Sequence, residues 1–358
     1  MTTERTGSPS LIDVARAAEV STATAGRALG GYGQVSERAR ERVLRAAAEL
    51  GYRTNSLARS MITGSTHTIG VIVTDVANPF FAMALRGITD VAHPAGFEVL
   101  LVNTGRNVEA EQRAVTVMSE KRVDGIIVAA ARPSRGRHLK QTIDAGVPVV
   151  LLDREVSGVS EADTVTIDNE HAAGEATRHL LELGHRRIGL VTEAGDEFDR
   201  LRRPGNRRKG LLPSALRLRG YLRALEDAGL PVEESLVATA RYDRESAYEA
   251  AGRLLALPEP PSAVLCTDNV LASGAYRAVQ DSGLRIPEEI SVVGFDDEPW
   301  TTLVRPALTV VEQPDYELGL RAGRQLLHRL DGGSGSAKPQ SVRLRATLVV
   351  RDSTACRR

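Results

Sequence analysis

Apolar positions along this chain follow two different rhythms. From residue 10 to residue 51 they recur at helical spacing in three short segments. Leu11, Val14, Ala15 and Ala18 share one face of a helix that Ser10 and Asp13 open as a capping box, with Asp where Glu is usual. Glu19-Val20 reads as a turn, and Ser21 as the cap of a second helix with Ala25, Ala28 and Leu29 inward. Val35-Ser36 opens a third helix that Gly51 stops, with Val43, Leu44, Ala47 and Leu50 as its predicted buried stripe.

From Thr66 the rhythm changes. Ile69–Val73, Val99–Val102, Gly125–Val128 and Val147–Leu152 are nearly continuous apolar runs, as in strands buried on both faces of a parallel sheet. Helical segments lie between them, one opening at Pro79 with Phe81, Leu85, Ile88 and Val91 inward. The alternation repeats with Ile188–Val191, Ala263–Cys266 and Ile290–Gly294, and with helices near 217–228, 244–256 and 270–282. Two doubly wound parallel sheets of similar size are predicted. Ligands bind such sheets beyond the carboxyl ends of the strands, here in a cleft between lobes.

Two short helices around a tight turn are the form of a DNA-reading helix-turn-helix, in which the start of the second helix faces the major-groove base edges. Ser21, Thr22, Ala23 and Thr24 occupy that start, and Arg27 lies further along the same face, able to pair bidentately with guanine. Arg38, Arg42 and Arg45 are read as solvated surface rather than phosphate contacts.

Charge changes the picture only locally. The 358 residues carry no net formal charge, yet residues 1–64 hold nine arginines against six acids. That excess has the sign a DNA module needs. At 42% hydrophobic and 26% charged, the chain is ordinary globular material, long enough for two or three domains. No stretch approaches a membrane span, and the first residues carry no apolar leader, so a cytoplasmic protein is expected. Cys266 and Cys356 form no disulfide framework, and the seven histidines show no ligand spacing, so neither a metal nor a cofactor is expected.

These residues resemble the headpiece of the lactose-repressor/galactose-repressor (LacI/GalR) family. Leu11, Asp13, Val14, Ala15, Ala18, Val20, Ser21, Thr24, Arg27 and Leu29 stand in register with its pattern. So do Val35, Ser36, Arg42, Val43, Gly51, Tyr52, Asn55, Ala58 and Arg59. The resemblance continues through Asn78-Pro-Phe-Phe81, Arg122-Val-Asp-Gly125, Leu183-Gly-His-Arg186, Ser291–Asp297 and Val349–Thr354. Four departures stand out. Glu19 replaces the turn glycine, at a cost of roughly 1 kcal/mol if that position keeps φ > 0. Gly26 replaces a helix serine, Thr54 the proline before the hinge, and Met61 the hinge leucine.

The resemblance implies an all-α helix-turn-helix headpiece (1–53), a hinge helix and linker (54–65), and an α/β core (66–358). The core is of the periplasmic-binding-protein-like kind. Its N-lobe is expected at about 66–164 and 298–325, its C-lobe at about 165–297 and 326–358. In the hinge, Asn55, Leu57, Ala58 and Met61 are expected on DNA, Met61 as the minor-groove wedge and Leu57 as the next candidate. In the core, the resemblance carries over Asp75, Phe80, Phe81, Asp153, Arg217, Tyr242, Asp268 and Asp296 as effector-binding residues. Carboxylates, a guanidinium fork and aromatic faces suit a polyol. The implied protein is a homodimeric regulator, in all expectation a repressor, that binds a pseudo-palindromic operator under control of a sugar-like effector.

Residues 194–213 are longer than the family loop and carry Arg200, Arg202, Arg203, Arg207, Arg208 and Lys209. They read first as a solvated insertion, and second as an anion-attracting lid that would suit a phosphorylated effector. Two other functions compete. A transporter-associated solute-binding protein would need no headpiece. An enzyme on this fold would need a glycine-rich phosphate turn or a nucleophile elbow, where the first strand instead leads into Thr74-Asp-Val-Ala-Asn-Pro79.

Overall fold

A computed structural model describes residues 9–30, 32–52, 64–202, 210–332 and 338–357. The hinge residues Asn55, Leu57, Ala58 and Met61 lie outside the described residues, as do Arg203, Arg207, Arg208 and Lys209 of the basic segment. The chain divides into two compact units, Met1–Thr68 with Arg122–Asp124, and Ile69–Lys121 with Gly125–Arg358.

The first unit contains helices Leu11–Ala17, Thr22–Gly30 and Glu37–Leu50. Each begins where side-chain chemistry satisfies free amides. Ser10 and Asp13 form the complete capping box. Ser21 Oγ accepts from Thr24 N at 3.1 Å. Ser36 caps the third helix through Ala39 N, and Gly51 ends it at φ 64°. Glu19 holds φ 52° in the tight turn, the conformation for which glycine is preferred. The core is built from small side chains: Val14, Ala15, Ala18, Ala25, Ala28, Val43, Ala46 and Ala47. Two residues of the predicted stripe do not join it, since Leu44 and Leu50 are exposed. Val43, Ala46 and Ala47 point inward at the i, i+3, i+4 spacing, and Leu44 and Leu50 fall beside that stripe. Ser36→Ala should remove about 1 kcal/mol from the third helix. Amide hydrogen exchange over residues 37–50 should then quicken about fivefold while core peptides are unchanged.

The second unit carries two six-stranded sheets. The strands are β1 (Thr68–Val73), β2 (Glu98–Asn103), β3 (Gly125–Val128), β4 (Val149–Leu152), β5 (Asp163–Ile167) and β6 (Ile188–Thr192). They continue as β7 (Val237–Thr239), β8 (Ala263–Cys266), β9 (Ser291–Phe295), β10 (Thr309–Glu312), β11 (Ser341–Leu344) and β12 (Thr347–Val349). The first sheet runs β11-β5-β4-β3-β1-β2 and the second β12-β10-β9-β8-β6-β7. β12 is antiparallel to β10. Each lobe thus has its sheet flanked by helices, the doubly wound arrangement expected from the apolar runs.

The expected lobe boundaries need correction. β10 pairs in parallel with β9 and belongs to the second sheet, although 298–325 was expected in the N-lobe. β11 pairs in parallel with β5 and belongs to the first sheet, although 326–358 was expected in the C-lobe. β5 itself lies wholly in the first sheet, past the expected boundary at 164. The chain therefore changes lobe after β5, after β10 and between β11 and β12. Helix Asp315–Leu330 returns to the first lobe and lies against helix Pro79–Ala92 backbone to backbone. A Cβ at Gly319 would stand 1.9 Å from Ala84 O, and one at Gly87 2.2 Å from Tyr316 O, so this crossing requires glycine on both helices.

The insertion is less solvated than its composition implies. Phe198, Leu201 and Leu211 are buried in the core, and helix Phe198–Arg202 anchors the segment's start. An apolar residue every few positions is enough to dock a segment rich in charge.

Candidate functional site

In the first unit, the end of helix Thr22–Gly30 that would meet DNA is open. Ser21, Thr22 and Ala23 are exposed, and Thr24 is half-buried with its hydroxyl 2.8 Å from Ser21 Oγ. Arg27 is half-buried, its Nε is buried without a partner, and its Cδ would stand 3.0 Å from a Cβ at Gly33. The stem of Arg27 is therefore packed. Arg38, Arg42 and Arg45 on the third helix are exposed, and Arg42 lies 3.8 Å from Glu19.

In the second unit, Asp75, Phe80, Phe81, Asp153, Arg217, Tyr242, Asp268 and Asp296 all line one cleft between the lobes. The strand ends place the acids. Asp153 follows β4 and Asp296 follows β9, in φ 69° and φ 68°. These equivalent left-handed corners aim both carboxylates into the cleft rather than along the next segment. Asp75 follows β1 and caps the turn through Ala77 N at 3.0 Å. Asp268 caps helix Asn269–Asp281 through Val270 N at 2.9 Å. Phe80 and Phe81 are each 4% exposed, so they are core and cleft wall at once, packed edge to face at 4.9 Å.

Arg217 sits in the second turn of helix Pro213–Asp227, rather than opening the helix as expected. Its Nε donates to Asn169 Oδ1 at 2.8 Å and its Nη1 to Thr267 O at 2.7 Å. Its guanidinium lies 3.9 Å from the centre of the Phe295 ring. The fork is fixed on three sides before any ligand is considered.

The structure adds cleft residues that periodicity did not single out. Arg154 donates to Asp153 Oδ2 at 3.0 Å and to Ala130 O at 2.7 Å. Arg106 pairs with Glu193 across the lobes and covers one face of Tyr242, 3.9 Å from its centroid. That face is not available as the stacking platform expected of Tyr242. Gln313 donates to Asp296 Oδ1, while its own Oε1 and the buried Thr74 Oγ1 have no partner. Nothing in the spacing of the sequence marks Gln313 as a neighbour of Asp296.

Acid dominates the electrostatics. Burial, and then the charge of Asp296, push the Asp268 carboxyl up to about 8. Burial raises Asp296 as well, against the opposing pull of Arg217 and Gln313. Asp315, behind the cleft, is pushed up to about 8 by burial and then by Asp296. These groups bind protons more tightly in the folded state than in the unfolded chain, so their contribution to stability falls as pH rises from the ordinary carboxylate range through about 8. Asp268→Asn keeps a capping side chain and removes the charge. It should stabilise the protein by about 1 kcal/mol at pH 8 and by less at pH 5 in urea unfolding. An equal gain at both values would exclude relief of repulsion as its cause.

Family models match both parts of the chain. The model described as "Bacterial regulatory proteins, lacI family" matches residues 10–55. "Periplasmic binding proteins and sugar binding domain of LacI family" matches residues 66–350. Catabolite control protein A of Priestia megaterium is 36% identical over 316 residues, 88% of this chain and 91% of that protein. The lac repressor dimer bound to operator and the anti-inducer ONPF superposes with TM-score 0.81 at 27% identity, over 98% of this chain and 100% of that one. The transcriptional regulator CelR–cellobiose complex superposes with TM-score 0.70 at 30% identity, over 96% and 99%.

Proposed function

The chain belongs to the LacI family of bacterial regulatory proteins, and from that premise we propose how its two sites divide the work of a transcriptional repressor. The headpiece reads operator DNA and the inter-lobe cleft binds the effector. Thr22 and Ala23 face base edges in the major groove, Ser21 and Thr24 lie at the phosphate, and Arg27 pairs with guanine. Asn55, Leu57, Ala58 and Met61 form the minor-groove element between the two headpieces of a homodimer. The operator is a pseudo-palindrome of roughly 14–20 base pairs, as a two-fold axis requires. Its site of action is the cytoplasm, where the DNA is; no described helix is long and apolar enough to cross a membrane. A solute-binding protein is not favoured, because the chain carries a headpiece at residues 10–55.

The effector is uncharged and rich in hydroxyl groups, a sugar or a close derivative. The observation that carries this reading is the balance of donors and acceptors in the cleft. Asp75, Asp153, Glu193, Asp268 and Asp296 face only Arg106, Arg154 and Arg217. Arg106 and Arg154 are already paired with Glu193 and Asp153. What remains is a surplus of carboxyl oxygens, Asp268 holding its proton near neutral pH, with Thr74 Oγ1 and Gln313 Oε1 unpartnered. Hydroxyl donors satisfy such a wall, and a phosphate adds charge to one that is already acidic.

A ligand panel read by thermal shift and calorimetry tests this. Uncharged sugars and nucleosides form one arm, and their phosphates the other. An uncharged ligand at a hundredfold its Kd should stabilise the protein by about 2.7 kcal/mol and change its affinity for operator. Binding confined to the phosphates would overturn the effector class and favour the basic segment 194–213 as an anion-attracting lid.

A further inference from the structure

Side chains of the two lobes meet across the cleft. Arg106, which follows β2 in the first lobe, meets Glu193, which follows β6 in the second, through both guanidinium nitrogens, Nη2 lying 3.2 Å from Oε2. The same guanidinium lies 3.9 Å from the centroid of Tyr242, also of the second lobe. Tyr242 Oη accepts from Asn78 Nδ2 of the first lobe at 2.6 Å, and Asn78 Oδ1 accepts from Asn269 Nδ2 at 3.3 Å. Arg106 and Glu193 are 30% and 19% exposed, so their pair is shielded more than a surface ion pair. The backbone of Arg106 is held at φ 62°, which few residues adopt without cause.

We propose that Arg106 and Glu193, seated on Tyr242 and flanked by Asn78, form a cross-lobe clasp that sets how far the cleft is closed. None of these contacts lies within a lobe, so rotation of one lobe against the other breaks all of them together. They do little for the stability of either lobe alone. The clasp therefore acts on the equilibrium between open and closed forms. Only the closed form surrounds a ligand, so the apparent effector affinity scales with the closed fraction. Arg106 and Glu193 are positioning residues on this reading. The proposal stands on cleft geometry alone and is independent of which effector binds.

The test reads lobe separation directly. Nitroxides placed at Gln112→Cys in the first lobe and Glu249→Cys in the second, both exposed, report the distance by pulsed dipolar spectroscopy. Cys356, which is exposed, is replaced by Ser, and the buried Cys266 is left in place. Labelled protein is diluted with unlabelled protein so that only distances within one chain contribute. The parent should give one short distance. Arg106→Ala and the conservative Glu193→Gln should each lower that population at least about fivefold in favour of a longer one. The exchange Arg106→Glu with Glu193→Arg should restore the short distance. Circular dichroism melts, expected to be unchanged, separate opening from unfolding. The clasp is overturned if the folded single variants keep the parent distribution, or if the charge exchange is as open as the single changes combined.

Discussion

Arg217→Ala is expected to destabilise the protein by about 3–5 kcal/mol and to abolish its response to effector, the largest effect of any single change in the core. The side chain is 4% exposed, hydrogen-bonded to Asn169 and Thr267, and stacked on Phe295. Its charge offsets two carboxyls that burial already penalises, Asp268 and Asp296. Truncation leaves a void, an unpaired carbonyl at Thr267 and two acids that have lost one of their facing cations. The acids respond by holding protons more tightly in the folded state, so the deficit should widen as pH rises from 5.5 to 8. Arg217→Lys keeps the charge but loses the planar fork and the stacking, and should fall between the two. Urea unfolding at both pH values, with effector titration beside it, reads all three results. A loss under about 1 kcal/mol with the response intact would remove Arg217 from the site.

The legible parts of this fold are those whose signal is local. β3, β4, β8 and β9 are mainly apolar runs buried throughout, and β1 is buried in all but its first residue. Helix starts at Ser10, Ser36 and Pro79 are local chemistry as well. β5 gives no apolar run because three of the five residues of Asp163-Thr-Val-Thr-Ile are polar, although every one is buried. Asp163 is tolerated there because it is held by Arg329, Nη2 to Oδ1 at 2.7 Å. β7 has three residues, and β11 is an edge strand with alternate exposure, so neither rises above loop statistics. The crossings that follow β5 and β10 and that separate β11 from β12 therefore had no strand signal to mark them. The cleft divides the same way. Its acids sit at or just past strand ends, at positions that the family resemblance singles out. Arg106 meets a partner 87 residues away and Gln313 one 17 residues away across a strand pairing, and no periodicity carries that information.

Arg27→Ala is expected to cost about 1–3 kcal/mol per half-site, or roughly 5- to 150-fold in affinity for each half-site of the operator, and to relax preference at one base position. The helix that carries Arg27 is held by its cap at Ser21 and by Ala25 and Ala28 in the small headpiece core. Ala23 and Arg27 are four residues apart and so share a face, with Ala23 exposed at the helix start. The packed stem of Arg27 loses little freedom on binding, which is the condition for a bidentate contact to discriminate between bases. Arg38 offers the contrast, standing exposed on the third helix, and Arg38→Ala should change affinity little and evenly across sequences. Salt dependence separates a base contact from a phosphate contact. Loss of a base contact leaves the slope of log affinity against log salt nearly unchanged, whereas loss of a phosphate contact lowers it by about one per protomer. Titrations of the parent operator and its single-base variants at several salt concentrations decide between them. If Arg27→Ala flattens the slope and leaves base preference intact, Arg27 anchors the backbone, and sequence is read by other residues at the start of the helix.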